Sequence, residues 1–207
     1  MTAFIKQYGE KRTGTNVLRA LLHAHYRDVT VLMHVLGDKH SPPGPLARGY
    51  RPGKLGFVVS VKHPYAWLAS VRRFALLDPQ SPAPGAHAAC ERFNANYRSW
   101  LALRAEHGER VVVVRYEELL ADPSASLAGI ARRLGLERRT AGAIELPANV
   151  VVPTRCDHMP TRTAPVPFDR AYYLCRDYLA DLSDADKDTM RARIDWDQLA
   201  PYGYQPE

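Results

Sequence analysis

The chain has 207 residues, a formal net charge of +6 and a pI near 9.3. That is enough chain for one well-buried core and barely enough for two. No apolar run approaches the roughly 20 residues of a membrane span, and Lys6, Glu10, Lys11 and Arg12 interrupt any apolar leader at the N-terminus. Three cysteines, Cys90, Cys156 and Cys175, are odd in number and far apart, which points to reduced thiols in a cytoplasm rather than a disulfide frame or a zinc site. The positive balance suits either nucleic acid or a small, highly anionic cofactor. Because acidic residues lie between the arginines of the C-terminal half, nucleic acid is the less favoured partner.

Taken in chain order, residues 3–8 read as a strand and 15–26 as an amphipathic helix. Residues 29–33 are a second strand, followed by a Gly/Pro-rich loop over 37–53. Residues 57–61 are a third, wholly apolar strand. Pro64 then suits the first turn of a helix running to about residue 77. Residues 78–85 are a loop, 88–107 a long helix, and 110–115, with four successive valines, another buried strand. A helix over 124–135 closes at Gly135. Five prolines make 137–168 irregular. Two helices follow, at 169–181 and 184–194, with Trp196 and Tyr202 as packing residues. Apolar strands alternating with helices imply a three-layer α/β/α architecture, a central parallel sheet covered on both faces, in a single domain over 1–207. The long loops 37–53 and 147–168 are candidate binding loops.

The most informative stretch is Gly9-Glu10-Lys11-Arg12-Thr13-Gly14-Thr15-Asn16. A strand, a turn with two glycines and a helix N-terminus make an anion cradle, because free backbone N–H groups and the helix dipole both favour negative charge. The glycine spacing is that of a nucleotide-binding P-loop. Its end is not, since Thr15 and Asn16 stand where ATP chemistry needs Lys and then Ser or Thr. The cations sit earlier, at Lys11 and Arg12, so the loop suits an anion held without a metal.

At these residues the chain resembles the sulfotransferase family, whose P-loop-derived fold binds 3′-phosphoadenosine 5′-phosphosulfate (PAPS) and releases 3′-phosphoadenosine 5′-phosphate (PAP). Arg12-Thr13-Gly14-Thr15-Asn16 resembles that family's 5′-phosphosulfate loop, with Lys11 in place of its usual Pro. The resemblance continues at Lys62, which ends the third strand, and at Ser70, eight residues on. In the family a basic residue and a serine at these positions hold the cofactor's 3′-phosphate. Lysine keeps the usual arginine's charge but not its bidentate fork. A third stretch, Arg115-Tyr116-Glu117-Glu118-Leu119 through Asp122-Pro123, resembles the family's next strand and helix and is expected to build the fold without doing chemistry.

The resemblance implies that Lys11, Arg12, Thr13, Gly14, Thr15 and Asn16 hold the 5′ end of the cofactor, and Lys62 and Ser70 the 3′ end. Arg12 is then the catalytic cation. Lys39-His40-Ser41-Pro42 loosely resembles a family segment at the same point, making His40 the expected general base and Lys39 its helper, with His34 or Glu91 as alternates. Arg155, Arg162 and Arg170 are available as late basic residues for the 3′-phosphate. The helix around residues 90–97 either lines the acceptor pocket or packs into the core. The implied reaction is metal-independent transfer of a sulfuryl group to a hydroxyl or amine of a small molecule, carbohydrate or peptide. Rival readings are a P-loop kinase and a non-catalytic binder of polyanions or nucleic acid.

Overall fold

The structure is a computed structural model and describes residues 2–32, 35–45, 55–77, 82–147 and 169–207. His34, Arg155, Arg162 and Cys156, and most of the two long loops, lie outside the described residues.

Four parallel strands form the sheet: β1 (Ala3–Gly9), β2 (Val29–Leu32), β3 (Leu55–Val61) and β4 (Val111–Arg115), in the order β2-β1-β3-β4. Side chains alternate across a strand, and the sequence uses both faces. Ile5, Val58, Val112 and Val114 enter one core with Leu18 and Leu22 of α1 (Thr15–His25) and Ile130 of α5 (Pro123–Leu134). Tyr8, Phe57, Val59 and Val61 enter the other, with Trp67 of α2 (Pro64–Leu77) and Phe93, Tyr97 and Trp100 of α3 (Ala86–His107). Every residue of β3 is buried, as its mostly apolar run, interrupted by Ser60, suits in a sheet covered on both sides. The expected α/β/α layering is therefore the observed one.

The differences from expectation lie mostly at element ends. A separate short helix, α4 (Tyr116–Ala121), precedes α5, and the break falls at Asp122-Pro123. There the Asp122 carboxylate accepts the Ala125 N–H and the proline takes the first helical turn. The larger correction concerns 169–181. The helix α6 (Arg170–Leu174) stops, Arg176 turns left-handed at φ 66°, and a 3₁₀ turn spans Asp177–Asp181. Six positions apart on one α-helix, Tyr172 and Tyr178 would lie about 120° from each other. The break lets both bury, at 7% and 2% exposure. Two more helices, α7 (Asp184–Arg193) and α8 (Trp196–Leu199), complete that face, with Trp196 and Tyr202 packed against its core.

Candidate active site

The carboxyl ends of β1 and β3 are adjacent, paired through Gly9 and Ser60, and parallel sheets bind ligands at such ends. The loop after β1 is held close to its neighbour. A Cβ on Gly9 would stand 2.7 Å from Thr13 Oγ1 and 2.9 Å from the Ser60 carbonyl oxygen. Gly14 caps α1 at φ 80°, and a Cβ there would stand 2.6 Å from the Tyr116 ring. No side chain caps the α1 N-terminus, so its first-turn N–H groups remain as donors for an anion.

Within the loop the expected ligand residues divide. Lys11 is exposed, and its carbonyl accepts the Trp67 indole N–H at 3.1 Å. Arg12 adopts a left-handed backbone, φ 72°, and lays its guanidinium 4.6 Å from the centre of the Phe74 ring. A non-glycine residue in that region stores strain, which is characteristic of functional loops. The Thr13 hydroxyl donates to the Glu10 carbonyl at 2.7 Å, inside the turn. Thr15 is buried in the first turn of α1. Asn16 accepts the Lys39 ammonium at 2.6 Å through Oδ1.

The segment after β2 is fastened to this loop. The Gly9 N–H donates to the Lys39 carbonyl at 3.0 Å, and His40 Nδ1 lies 2.6 Å from the Gly9 carbonyl. A carbonyl only accepts, so Nδ1 carries the proton and Nε2 keeps its lone pair. Burial chiefly lowers the His40 pKa to about 4, with the Gly9 bond opposing and nearby Lys39 and Lys11 adding to the shift. Burial likewise lowers Lys39 to about 8. A neutral imidazole with a fixed tautomer has the form a general base needs. Glu91, by contrast, sits on the exposed side of α3, paired with His87.

The second expected anion pair also meets the loop. Lys62 Nζ donates to Ser70 Oγ at 2.7 Å and to the Arg12 carbonyl at 3.3 Å. Two aromatic faces enclose it: Tyr116 at 4.3 Å and Tyr173 at 3.7 Å. It has no exposed surface, and burial drives its pKa well down against the attraction of Glu117. The Tyr173 hydroxyl lies 2.9 Å from Ser70 Oγ, which also donates back to the Ala66 carbonyl. Arg170 points elsewhere, donating to the Ala121 carbonyl.

Sequence reasoning missed several of these residues. Tyr116, expected only to shape the fold, is a shared wall touching both the Gly14 position and Lys62. Glu117 accepts the His63 N–H at 2.9 Å and the Tyr204 hydroxyl at 2.5 Å, joining the ends of β3 and β4 to the C-terminal face. The recurrent Tyr-Glu pair was a visible signal for both. Tyr173 had none, because it reaches Ser70 across 103 positions of chain. Asn96, on the helix expected either to line the acceptor pocket or to pack into the core, is buried against Glu10.

A parallel α/β sheet with a cation-flanked helix N-terminus and a lysine–serine pair beside it has the donors and the charge to hold an anion. The sequence model of the sulfotransferase family matches residues 55–140, which contain Lys62, Ser70 and Tyr116, while the loop at 9–16 lies outside the matched segment. The assignment to the sulfotransferase family is supported by that segment. Similar solved structures include the following two. One is the sulfotransferase domain from the Synechococcus PCC 7002 olefin synthase, 28% identical over 40% of this chain and 28% of that one, with a TM-score of 0.33. The other is the sulfotransferase domain from the curacin biosynthetic pathway, 14% identical over 74% of this chain and 55% of that one, with a TM-score of 0.40. The chain thus spans little more than half, at most, of the structures it resembles. No curated protein matches it.

Proposed function

We propose that the chain transfers a sulfuryl group from PAPS to a hydroxyl or amine, and that the acceptor is a small molecule, a carbohydrate or a peptide. The observation that carries this reading is the meeting of the two cationic motifs: Lys62, bonded to Ser70, lies 3.3 Å from the carbonyl of Arg12. A ligand anionic at both ends of one nucleoside suits that arrangement, and the family match over 55–140 supports sulfuryl transfer.

Bound PAPS would supply the sulfuryl group and leave as PAP. Lys11, Arg12 and the first-turn N–H groups of α1 hold the 5′ end, with Gly14, Thr15 and Asn16 shaping the approach. Arg12 carries permanent positive charge to the oxygen on which negative charge collects as the sulfur–oxygen bond to phosphate breaks. His40 takes the acceptor proton at Nε2 as the new sulfur–oxygen or sulfur–nitrogen bond forms. Lys39, titrating near 8, sits beside it as helper. Lys62 and Ser70 receive the 3′-phosphate, which displaces the Tyr173 hydroxyl from Ser70. No described helix is long and apolar enough to cross a membrane; a cytoplasmic location belongs to the proposal, resting on the widely spaced cysteines.

A thermal-shift comparison tests the reading. PAP at about 100 times its dissociation constant adds roughly 2.7 kcal/mol, a rise of about 5–11 °C for a chain of this size. AMP and ATP with Mg²⁺ should give much less. Stabilisation by ATP with Mg²⁺ and not by PAP would instead favour a kinase, and steeply salt-dependent duplex binding indifferent to PAP would favour a polyanion binder.

A further inference from the structure

The sulfuryl-transfer reading leaves one buried acid unused. Glu10 stands in the middle of the anion loop with only 1% of its surface exposed, and burial raises its pKa. A carboxylate in such a place is costly to bury and persists only where its partners are well placed. Its Oε1 accepts the Asn96 side-chain amide at 2.5 Å, and its Oε2 lies 3.4 Å from Arg92 Nη2. Asn96, itself 5% exposed, is near the middle of α3. Its amide nitrogen also reaches the His40 carbonyl, at 3.4 Å. Two hydrogens on one nitrogen serve two acceptors.

These contacts close a circuit. The His40 ring donates to the carbonyl of Gly9, the residue before Glu10, and the His40 carbonyl accepts from Asn96. Asn96 in turn holds the Glu10 carboxylate. One turn further along α3, the Trp100 indole donates to the Ser41 carbonyl at 2.9 Å. The segment carrying His40 is therefore grasped from two sides, by the anion loop and by α3, and Asn96 is the group that touches both.

We infer that Glu10 and Asn96 are a positioning couple: through the His40 carbonyl they hold the His40 imidazole against the anion loop, with Nε2 facing the reaction. This rests on the sulfuryl-transfer reading for its function but not for its geometry. The couple needs an acceptor at Glu10 and a donor at Asn96; it does not need the negative charge. The groups that bear on the titration of His40, besides its burial, are Asp38 and Lys39 beside it and Lys11 and the Gly9 carbonyl from the anion loop; the charged groups facing it from the loop and α3 are Glu10 and its partner Arg92.

The test uses the full chain and three near-isosteric variants: Asn96→Leu removes the donor, Glu10→Met removes the acceptor, and Glu10→Gln keeps an acceptor oxygen without the charge. Nitrogen-detected NMR of the His40 ring reads tautomer and titration directly. Wild type and Glu10→Gln should show a single Nδ1–H tautomer and a midpoint near 4. Asn96→Leu and Glu10→Met should show mixed tautomers and a midpoint displaced towards 6.5, the ordinary value. In the transfer assay the same two variants should lose about 10–100-fold in kcat, with the donor KM within about threefold, because a misplaced base slows chemistry more than binding. Glu10→Gln should lose less in kcat than Glu10→Met. A folded Asn96→Leu with an unaltered His40 ring overturns the inference, as does a Glu10→Gln as damaging as Glu10→Met. If Asn96→Leu fails to fold, the contrast between the two Glu10 variants decides. If wild type neither binds PAP nor transfers, the sulfuryl-transfer reading fails, and the NMR contrast still decides the couple.

Discussion

Gly14→Ala tests whether Tyr116 is the wall that joins the two anion motifs. Two costs add at this position. The backbone sits at φ 80°, where an L side chain costs about 1–2 kcal/mol. The new methyl would then stand 2.6 and 2.7 Å from two Tyr116 ring carbons. Those carbons belong to a ring only 5% exposed and packed beneath Lys62, and forcing such a ring aside costs about 1–3 kcal/mol. The sum, about 2–5 kcal/mol, lowers Tm by roughly 4–20 °C for a chain of this size. Gly135→Ala is the control: φ is 65° but nothing lies within 4 Å of its Cβ, so only the backbone cost of about 1–2 kcal/mol applies. Urea unfolding of both variants, repeated in a Tyr116→Ala background, separates the terms. In that background Gly14→Ala should cost no more than Gly135→Ala. Equal losses from the two glycine variants in the wild-type background would refute the placement of Tyr116 against the loop.

Other expectations concern charge and acid. Arg12→Ala should lower kcat about 10²–10³-fold, the usual effect of removing one stabilising group at a developing negative charge; unchanged turnover in a transfer assay would remove Arg12 from the chemistry. Lys62→Met should abolish the preference for PAP over its 3′-dephosphorylated analogue in calorimetric titration, and equal weakening of both ligands would contradict a 3′-phosphate role. Tyr173→Phe removes the hydroxyl that competes for Ser70, so PAP should bind about 2–10-fold tighter, the reach of one net hydrogen bond; weaker binding in the same titration would make Tyr173 a ligand rather than a competitor. His40 and His63 are both held neutral, at about 4 against an ordinary 6.5, by burial first of all. The unfolded chain therefore takes up protons that the fold refuses. Stability should be full above about pH 7 and fall as pH drops from 6.5 towards 4, by up to roughly 3 kcal/mol per ring. Urea midpoints at pH 7 and 4.5 measure the loss, and His63→Phe should remove about half of it; an undiminished loss would show that the His63 ring is not the titrating group.

Local pattern carried most of the fold. The mostly apolar, valine-rich run at 57–61 read as a strand buried on both faces, and the two glycines around a strand-to-helix junction marked the candidate anion loop. Element ends were less legible, because the helix breaks between Tyr172 and Tyr178 where both bury in the core, and the packing that accompanies the break lies outside the residues in between. The same holds at the site. The bond from the Thr13 hydroxyl back to the Glu10 carbonyl could not be read from residue type alone.

What the sequence determined alone was the local chemistry: a cationic glycine turn at a helix N-terminus lacking the kinase ending, a lysine and serine at fixed spacing, and a histidine after the second strand. These depend on neighbours a few residues away, where backbone geometry follows from residue type. Only the tertiary structure decided that Lys62 meets the Arg12 carbonyl, that Tyr173 covers Ser70, and that Asn96 joins Glu10 to His40. Those contacts span from 50 to 103 positions of chain for the first two and 86 and 56 for the last. They exist because parallel strands place successive carboxyl ends side by side. Local sequence holds no record of which distant side chains that stacking brings into reach.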